Sequence, residues 1–384
     1  MSKTLLKNIG CLYSGNIEAP VIDADSLLVE DGKITAFGKG LSVDPDTEVI
    51  DVKGTTVMPG LIDSHTHPVI GDWTPRQTAL NWIDPYLRAG VTGLVSVGET
   101  HIPGKPKDAV GMRALATVAK QTFDNVRPSN MKVYGGAYIM HKDAPEEDFK
   151  DLAAMGVKAT GEIGLGSANR VETAAEKVKW AKEAGMTVTC HRGAAYLHGS
   201  NVIDAETILG LNPTVICHVT LGRIPFEEIK LYFEETTSYI ELCRGQMGSI
   251  RESAEVIRLA KERDELRRVL LGNNCPSGFG IFPHGIWELV ALLTTCCDMS
   301  PAQAVACATG NNASAFKLDT GMIAPGRCAD LIVCDAPVGS TYQNASQTLS
   351  AGVIPGVSLV MVDGKVVVEA AKVNTAPAKV TCCR

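Results

Sequence analysis

The feature that most constrains the fold of this chain is a β-α rhythm that repeats between Gly60 and about Thr309. Each unit has a short β-branched run, which in six of the eight units ends in Gly, His, Glu or Asn, and the run is followed by an amphipathic stretch of helical period. Eight such units predict an α/β fold, a closed (β/α)8 TIM-like barrel. The eight runs are GLIDSHTH, VTGLVSVGE, MKVYGGAYI, VKATGEIGLG, MTVTCHRG, TVICHVT, SYIELCRG and RVLLGNN.

The stretches between these runs carry the start and stop signals of helices. In residues 167–185, SANRVETAAEKVKWAKEAG, apolar side chains recur at intervals of three and four, and the pattern stops at Gly185. Residues 249–267, SIRESAEVIRLAKERDELR, follow the same pattern, with acidic and basic residues interleaved on the other face. Both stretches predict helices of an outer ring, each with a solvated charged face.

Both ends of the chain are rich in β-branched residues and poor in helical pattern. Residues 1–58 contain turn signals at Asp31-Gly32 and at 38–40, and the late run VSLVMVDGKVVVE contains an Asp363-Gly364 hairpin signal. Two β-rich ends that flank a barrel predict one small β-sandwich formed by pairing them. The predicted division is a discontinuous sandwich of residues 1–58 and 319–384, and a barrel of residues 59–318.

Composition argues against several classes of partner. The 384 residues are 45% hydrophobic and 21% charged, which is typical of a well-cored globular protein. A formal charge of -7 and a pI near 5.7 argue against a nucleic-acid surface. The first residues show no apolar core of signal-peptide length, and no run approaches the roughly 18 residues of a membrane span, so a cytoplasmic protein is predicted. The twelve cysteines show no CxxC spacing and are predicted to be mostly buried free thiols.

Candidate catalytic groups are found at the ends of the runs, because active sites of such barrels lie at the carboxyl ends of the strands. A single histidine there is more often a hydrogen-bonded structural residue than a ligand. Several histidines from different strands, together with an acid, predict a metal centre, since imidazole is the commonest metal ligand. The first two histidines are two residues apart on one strand and therefore share a face. The candidates are His65, His67, Glu162, His191, His218 and Asn274.

Several motifs resemble those of the amidohydrolase superfamily of metal-dependent hydrolases. They are VMPGLIDSHTHP, DGKITAFG and GMIAPGRCADLIVCD. The resemblance covers essentially the whole chain. Within the superfamily the chain is most similar to the enamidases, which hydrolyse cyclic enamides, through GEIGLG, KPKDA, PSG and TGNN. The resemblance implies barrel-plus-sandwich subunits in a homotetramer, and a binuclear centre of two divalent metal ions, zinc and/or iron.

The resemblance also implies roles for individual residues. His65 and His67 would bind the buried metal, His191 and His218 the more exposed metal, and Glu162 would bridge both.

Two neighbours of these ligands leave alternatives open. Lys158, if carbamylated, is the alternative bridge, but Glu162 is nearer the end of its strand and needs no modification. Asp63 has the same parity as the two histidines of its strand, so it is either a hydrogen-bond partner of a ligand histidine or an ordinary structural acid.

An amide stands where the family has a catalytic carboxylate. The resemblance places Asn274 at the strand-eight position, and an amide cannot take up and return a proton near neutral pH. The change is an introduced one that traps a substrate complex, a natural one with another group as the base, or the mark of a protein that no longer hydrolyses. His284 is the sharpest candidate for another base, although a packing or capping role is also open, and Cys275 is a weaker candidate.

The sequence analysis leads to one functional expectation and two rivals. The chain is expected to hydrolyse a cyclic amide or enamide C-N bond by a metal-activated bridging hydroxide. Arg192 and Arg244, at two strand ends, suggest a carboxylate-bearing small-molecule substrate. The rivals are a ring deaminase on the same metal site and a non-hydrolytic or substrate-trapping form of the scaffold.

Overall fold

The computed structural model describes residues 2–70, 82–102, 104–192, 200–220, 224–245, 248–276, 280–373 and 375–383. The strands are β1 (Lys3–Lys7), β2 (Cys11–Tyr13), β3 (Val21–Ile22), β4 (Ser26–Glu30), β5 (Lys33–Gly38), β6 (Glu48–Asp51), β7 (Thr56–Pro59), β8 (Leu61–Thr66), β9 (Val91–Ser96), β10 (Lys132–Tyr134), β11 (Thr189–Cys190), β12 (Val215–Ile216), β13 (Tyr239–Cys243), β14 (Val269–Gly272), β15 (Leu331–Asp335), β16 (Gly356–Val362) and β17 (Lys365–Glu369). The helices are α1 (Ile83–Arg88), α2 (Ala109–Val126), α3 (Glu146–Ala154), α4 (Val171–Glu183), α5 (Ala205–Leu211), α6 (Phe226–Glu235), α7 (Ile250–Glu262), α8 (Gly285–Cys296), α9 (Pro301–Cys307), α10 (Gly310–Ala315) and α11 (Ala345–Ser350). Single 3-10 turns precede β10 and β14, at Pro128–Asn130 and Leu266–Arg268.

Two parallel sheets form the wall of the (β/α)8 barrel. One sheet has the order β10-β9-β8, and the other runs from β11 to β14 in chain order. A parallel bridge between Thr66 and Cys275 joins β8 to the chain just after β14. Further bridges join residues 159–163 to the chain after β10 on one side and to β11 on the other. The predicted fold class is therefore confirmed.

The fourth predicted strand is the least regular part of the wall. It makes isolated bridges and no continuous ladder. The N-H of Glu162 donates to the carbonyl of Val97, at the end of β9, at 3.0 Å, so the chain reaches across its neighbour toward the barrel axis. Gly161 permits this path, since a Cβ there would lie 2.7 Å from the Ile139 side chain and 3.1 Å from its backbone. This segment is drawn inward at the point where Glu162 stands.

The predicted outer-ring helices are confirmed as α4 and α7. The Ser249 hydroxyl accepts the N-H of Glu252 at 3.2 Å and begins α7 with a side-chain cap. The helix buries Val256, Ile257 and Ala260 against the main core that surrounds the barrel. Of the helices in the described ranges, none combines the length and apolar character that crossing a bilayer requires.

The two chain ends form the predicted β-sandwich. One sheet has the order β5-β4-β1-β6 and the other β17-β16-β15-β7-β2-β3. The two hairpin turns have positive φ at both central residues, 46° and 80° at Asp31 and Gly32, and 48° and 72° at Asp363 and Gly364, as Asp-Gly turns of this type require. A second apolar core fills the sandwich, and it includes Leu6, Leu12, Leu27, Ile34, Ile50, Val57, Leu331, Val333, Leu359 and Met361. The division at 58/59 and 318/319 remains a prediction.

Candidate metal centre

The carboxyl ends of the barrel strands bring the five predicted metal ligands together. His65 lies at the end of β8 and His67 directly follows it, Glu162 stands on the inward-drawn segment, and His191 and His218 follow β11 and β12. None of the five is more than 6% exposed. The ring centroids of neighbouring histidines lie 5.1, 5.3 and 4.6 Å apart. These side chains form one buried cluster at the mouth of the barrel.

The carboxylate of Glu162 lies between two pairs of imidazoles. Its Oε2 is 3.5 Å from Nε2 of His65 and 3.6 Å from Nε2 of His67. Its Oε1 is 2.9 Å from Nε2 of His218 and 3.5 Å from Nδ1 of His191. One oxygen therefore faces each pair, which is the arrangement of a carboxylate that bridges two cations.

Lys158, the alternative bridge, has a different environment. It is partly exposed, and its carbonyl accepts the N-H of Thr187 at 2.9 Å near the start of the same segment. The four imidazoles converge on Glu162, so these contacts favour an unmodified glutamate as the bridge.

The ring orientations of His65 and His67 provide a test of whether a cation fits. Nδ1 of His65 lies 2.7 Å from the Glu241 carboxylate, and Nδ1 of His67 lies 3.0 Å from the Gly98 carbonyl. Both partners only accept hydrogen bonds, so each Nδ1 carries a hydrogen and, in the neutral ring, each Nε2 carries a lone pair. The two Nε2 atoms lie 3.3 Å apart. Two lone pairs at this distance repel unless a proton or a metal cation lies between them, and zinc bonds of about 2.0–2.1 Å at a tetrahedral angle span about 3.4 Å.

The electrostatics of the cluster show the same need for positive charge. Burial would lower the pKa of His65, but the charges of Glu241 and Glu162 raise it to about 10. Burial and the charge of His65 lower the pKa of His67 to about 3. Burial would raise the pKa of Glu162, but His65 and the hydrogen bonds from His191 and His218 hold it well below its usual range. A proton on His65 thus balances the carboxylates in the chain alone, and a bound cation would take its place.

The hydrogen bonds of Asp63 are those of a structural acid, which is one of the two roles open to it. Oδ1 of Asp63 accepts the backbone N-H groups of His65 and Asn273 at 3.1 and 2.9 Å and contacts neither ring. The ring of His65 is held by Glu241, in the middle of β13. Sequence reasoning missed this residue, although an acid inside the apolar run SYIELC was a usable signal. Burial raises the pKa of Asp63 to about 7.

The chain after β14 lies in register with the two histidines of β8. The N-H of Asn274 donates to the carbonyl of His65 at 2.9 Å, and the N-H of His67 donates to the carbonyl of Cys275 at 3.1 Å. Asn274 is 2% exposed. Asn274 therefore lies beside the predicted ligands His65 and His67, at the position where the resemblance places the family's carboxylate. Residues 277–279 of the following loop lie outside the described residues.

The two arginines predicted to bind substrate differ in their surroundings. The guanidinium of Arg192 is 7% exposed and donates to the Tyr232 hydroxyl at 2.8 Å, the Ile203 carbonyl at 3.0 Å and the Glu228 carboxylate. These contacts give Arg192 a structural role and do not support contact with a substrate. The side chain of Arg244 is 34% exposed and forms an ion pair with Glu288.

Two further imidazoles are present near the strand ends. His284 is the residue that precedes α8, and its Nε2 is buried without a hydrogen-bond partner in the described part of the chain. His101, which sequence reasoning missed, has the same feature, and its ring centroid lies 5.5 Å from that of His67. Its sequence signal was its place directly after the second barrel run. Cys275 is fully buried, and its thiol donates to the carbonyl of Asn273 at 3.5 Å.

Similarity to known proteins identifies the class of enzyme that has this barrel, sandwich and cluster of side chains: the chain belongs to the amidohydrolase family and is a hydrolase that acts on carbon-nitrogen bonds. The sequence profile of the Amidohydrolase family matches residues 279–367. The chain is similar to the enamidase of Eubacterium barkeri, with 42% identity over 383 residues, 99% of this chain and 98% of that protein. The crystal structure of enamidase superposes with a TM-score of 0.94 at 40% identity and covers 100% of both chains. An imidazolonepropionase of Salinispora arenicola (strain CNS-205) is 25% identical over 379 residues, 88% of this chain and 93% of that protein.

Proposed function

We propose that this protein catalyses the metal-dependent hydrolysis of a cyclic amide or enamide C-N bond. The observation that carries the proposal is the Glu162 carboxylate, which presents one oxygen to His65 and His67 and the other to His191 and His218. Similarity to enamidase over 99% of the chain supports the same reaction class.

In this proposal five side chains would hold two divalent cations, zinc and/or iron. His65 and His67 would hold the buried cation, His191 and His218 the outer one, and Glu162 would contribute to both sites. The cations would supply polarisation of the scissile carbonyl and would lower the pKa of a water molecule toward about 7. The protein contributes the fixed tautomers and ring orientations that set the spacing of the ligand atoms.

Hydrolysis also needs a group that takes a proton and returns it to the leaving nitrogen. The amide of Asn274 cannot do this, whereas an imidazole can. His284 and His101 are the candidates, because each has a buried Nε2 that meets no partner within the described ranges. We assign the proton transfer to His101, whose ring lies against the ligand His67, and retain His284 as the second candidate.

A substrate carboxylate is proposed to bind at Arg244. This arginine follows β13 at the same end of the barrel as the metal ligands, and about one third of its side chain, 34%, is exposed. A guanidinium can receive a carboxylate through two parallel hydrogen bonds. The homotetramer implied by the resemblance and the cytoplasmic location predicted from the sequence are further proposals, and light scattering would test the first.

The function is tested by a paired assay of the unchanged chain and Asn274→Asp. Metal content per subunit is measured for each form, and each is incubated with a panel of lactams, cyclic enamides and imides. The expected result is two metal ions in the Asp form, with hydrolysis increased by about 100-fold or more, as positioned acid-base groups provide.

Three other results would change the conclusion. Turnover by the unchanged chain and none by the Asp form would show that the amide belongs to a different mechanism. Release of ammonia with the ring intact would identify a deaminase. Tight binding without turnover by both forms would identify a non-hydrolytic protein on this scaffold.

A further inference from the structure

A second buried carboxylate lies directly behind the ligand His65. Glu241 is 0% exposed, and its Oε2 lies 2.7 Å from Nδ1 of His65. Its Oε1 accepts a hydrogen bond from the Ser64 hydroxyl at 2.5 Å, and the Cys243 thiol donates to Oε2 at 3.4 Å. Donors on both oxygens fix the orientation of the carboxylate, and through it the orientation of the imidazole.

Glu241 is a neighbour of a ligand and is not itself a ligand. His65, Cys217 and Glu241 offer atoms within 4.8 Å of one another, a spacing at which a cation could be considered. However, 2.7 Å between Nδ1 and Oε2 is the length of a charge-assisted hydrogen bond, whereas two ligands of one tetrahedral cation lie about 3.4 Å apart. Burial raises the pKa of the Cys217 thiol well above its usual value, which disfavours the thiolate that a metal requires.

The hydrogen bond has two consequences for a cation at Nε2 of His65. It selects the tautomer with hydrogen on Nδ1, so the lone pair of Nε2 faces the cluster. It also places a full negative charge behind the ring, which makes the imidazole a stronger donor. Bulk solvent does not screen this charge, because Glu241 is completely buried.

This charge matters more in a chain that has an amide at position 274. A carboxylate there would lower the net positive charge of a two-cation centre by one unit, and Asn274 does not. Glu241 supplies one negative charge at a comparable depth, from the neighbouring strand β13, which pairs with β14. Glu241 would thus supply, through its hydrogen bond to His65, the negative charge that an aspartate at position 274 would provide.

We propose that Glu241 is a positioning residue that fixes the tautomer of His65 and supplies to the buried cation site the negative charge that Asn274 lacks. The inference rests on the proposed metal-dependent function.

The test compares four forms of the full chain: unchanged, Glu241→Gln, Asn274→Asp and the double variant. Each is freed of metal with a chelator and titrated with zinc in a metal buffer, and zinc content and Tm are measured. Glu241→Gln is expected to weaken zinc binding about 10- to 100-fold, the usual effect of removing a partner of a ligand. Because the two carboxylates supply the same charge, Asn274→Asp is expected to recover most of this loss in the double variant.

Glu265→Gln is the matched control, since it removes a carboxylate that pairs with Arg268 at 2.8 Å near the opposite end of the barrel. It is expected to leave zinc affinity unchanged. A merely structural role for Glu241 would lower the Tm of the zinc-free protein and leave the zinc-induced rise in Tm unaltered. If Glu241→Gln does not fold, Ser64→Ala is tested in its place. It removes a hydrogen-bond donor to Oε1 of Glu241 and is expected to weaken zinc binding by a smaller factor than Glu241→Gln.

Two results overturn the inference. The first is a zinc affinity of Glu241→Gln, or of Ser64→Ala where that form replaces it, equal to that of the unchanged chain. The second is a double variant that binds zinc no more tightly than Glu241→Gln. Failure of the unchanged chain to bind zinc or iron is a separate result. It would remove the proposed function itself, and this inference with it.

Discussion

Two residues of the candidate centre have a backbone conformation that non-glycine residues rarely adopt. The φ angles of His218 and Asn274 are 40° and 56°, in the left-handed region. Such conformations cost about 1–3 kcal/mol each and persist where the surroundings impose them, often at functional sites. Asparagine and aspartate tolerate this region better than most residues. Asn274→Asp therefore changes charge with little effect on backbone strain, which makes it a clean test of chemistry.

The protonation state and hydrogen bonding of the His101 ring are those of a group that can accept a proton. Burial and the charge of Lys105 lower its pKa, although a hydrogen bond to the Pro276 backbone opposes this. The ring is therefore neutral near pH 7. Since Nε2 meets no partner in the described residues, the hydrogen bond to Pro276 is made by Nδ1-H, and Nε2 has a free lone pair.

We expect His101→Asn to lower kcat about 100-fold, the usual contribution of a positioned acid-base group, with a small change in KM. The limb of the pH-rate profile that reports the base should also disappear. Steady-state kinetics across pH on the most active substrate of the panel provide the measurement. His284→Asn is the matched control and is expected to change kcat only a few-fold. A larger loss of kcat in His284→Asn than in His101→Asn would assign the proton transfer to His284.

At the scale of elements, the inward path of residues 159–163 places the bridging carboxylate. Gly161 packs so closely on Ile139 that a Cβ would lie 2.7 Å from its side chain and 3.1 Å from its backbone. Either the chain around Ile139 or residues 159–163 must move to accommodate a methyl group at position 161. Such a shift in a closely packed interior costs folding free energy. The Glu162 oxygens lie within 3.6 Å of all four imidazoles, so a small shift affects both cation sites.

Gly161→Ala is expected to lower the free energy of unfolding by about 1–3 kcal/mol and to reduce metal content below that of the unchanged chain. Gly38→Ala, at the end of β5, is the control, because a Cβ there meets only Leu41 at 3.6 Å. Urea unfolding and metal analysis of both variants give the comparison. A Gly161→Ala protein with unchanged stability and metal content would show that the close approach does not position Glu162.

The parts of the fold and site that follow local patterns could be predicted from the sequence. His65 and His67 share a face because residues two apart on a strand always do, and the outer helices follow from apolar spacing. The contact between Glu241 and His65 could not, because these residues are separated by 176 positions and meet only through the curvature of the barrel. Arg192 illustrates the same limit, since its partner Glu228 stands on α6 and no local pattern pairs them.

At the scale of the whole molecule, a charged cluster connects the barrel to the sandwich. The ammonium of Lys132, on β10, lies 2.7 Å from Asp330 and 2.6 Å from Asp363. Asp330 has no side-chain exposure, and Asp363 forms a second ion pair with Arg127 at 2.6 Å. Lys132 is the cation paired with Asp330 in the described part of the chain, and a buried carboxylate that loses its cation is costly, so Lys132 is the residue on which this cluster depends most.

Lys132→Met is therefore expected to lower the free energy of unfolding by about 3–5 kcal/mol. Burial would lower the pKa of Lys132, but Asp330 and Asp363 raise it above its ordinary value. Because the folded pKa lies above the unfolded one, near 10.4, the stabilisation is complete below that pH and is lost only as the pH rises through the folded value. Urea unfolding should give the same difference at pH 7 and pH 9. Lys150→Met is the control: Lys150 is exposed and pairs with the partly exposed Glu146, so stability should be nearly unchanged. A loss in Lys132→Met no larger than in this control would mean that the cluster does not stabilise the contact between barrel and sandwich.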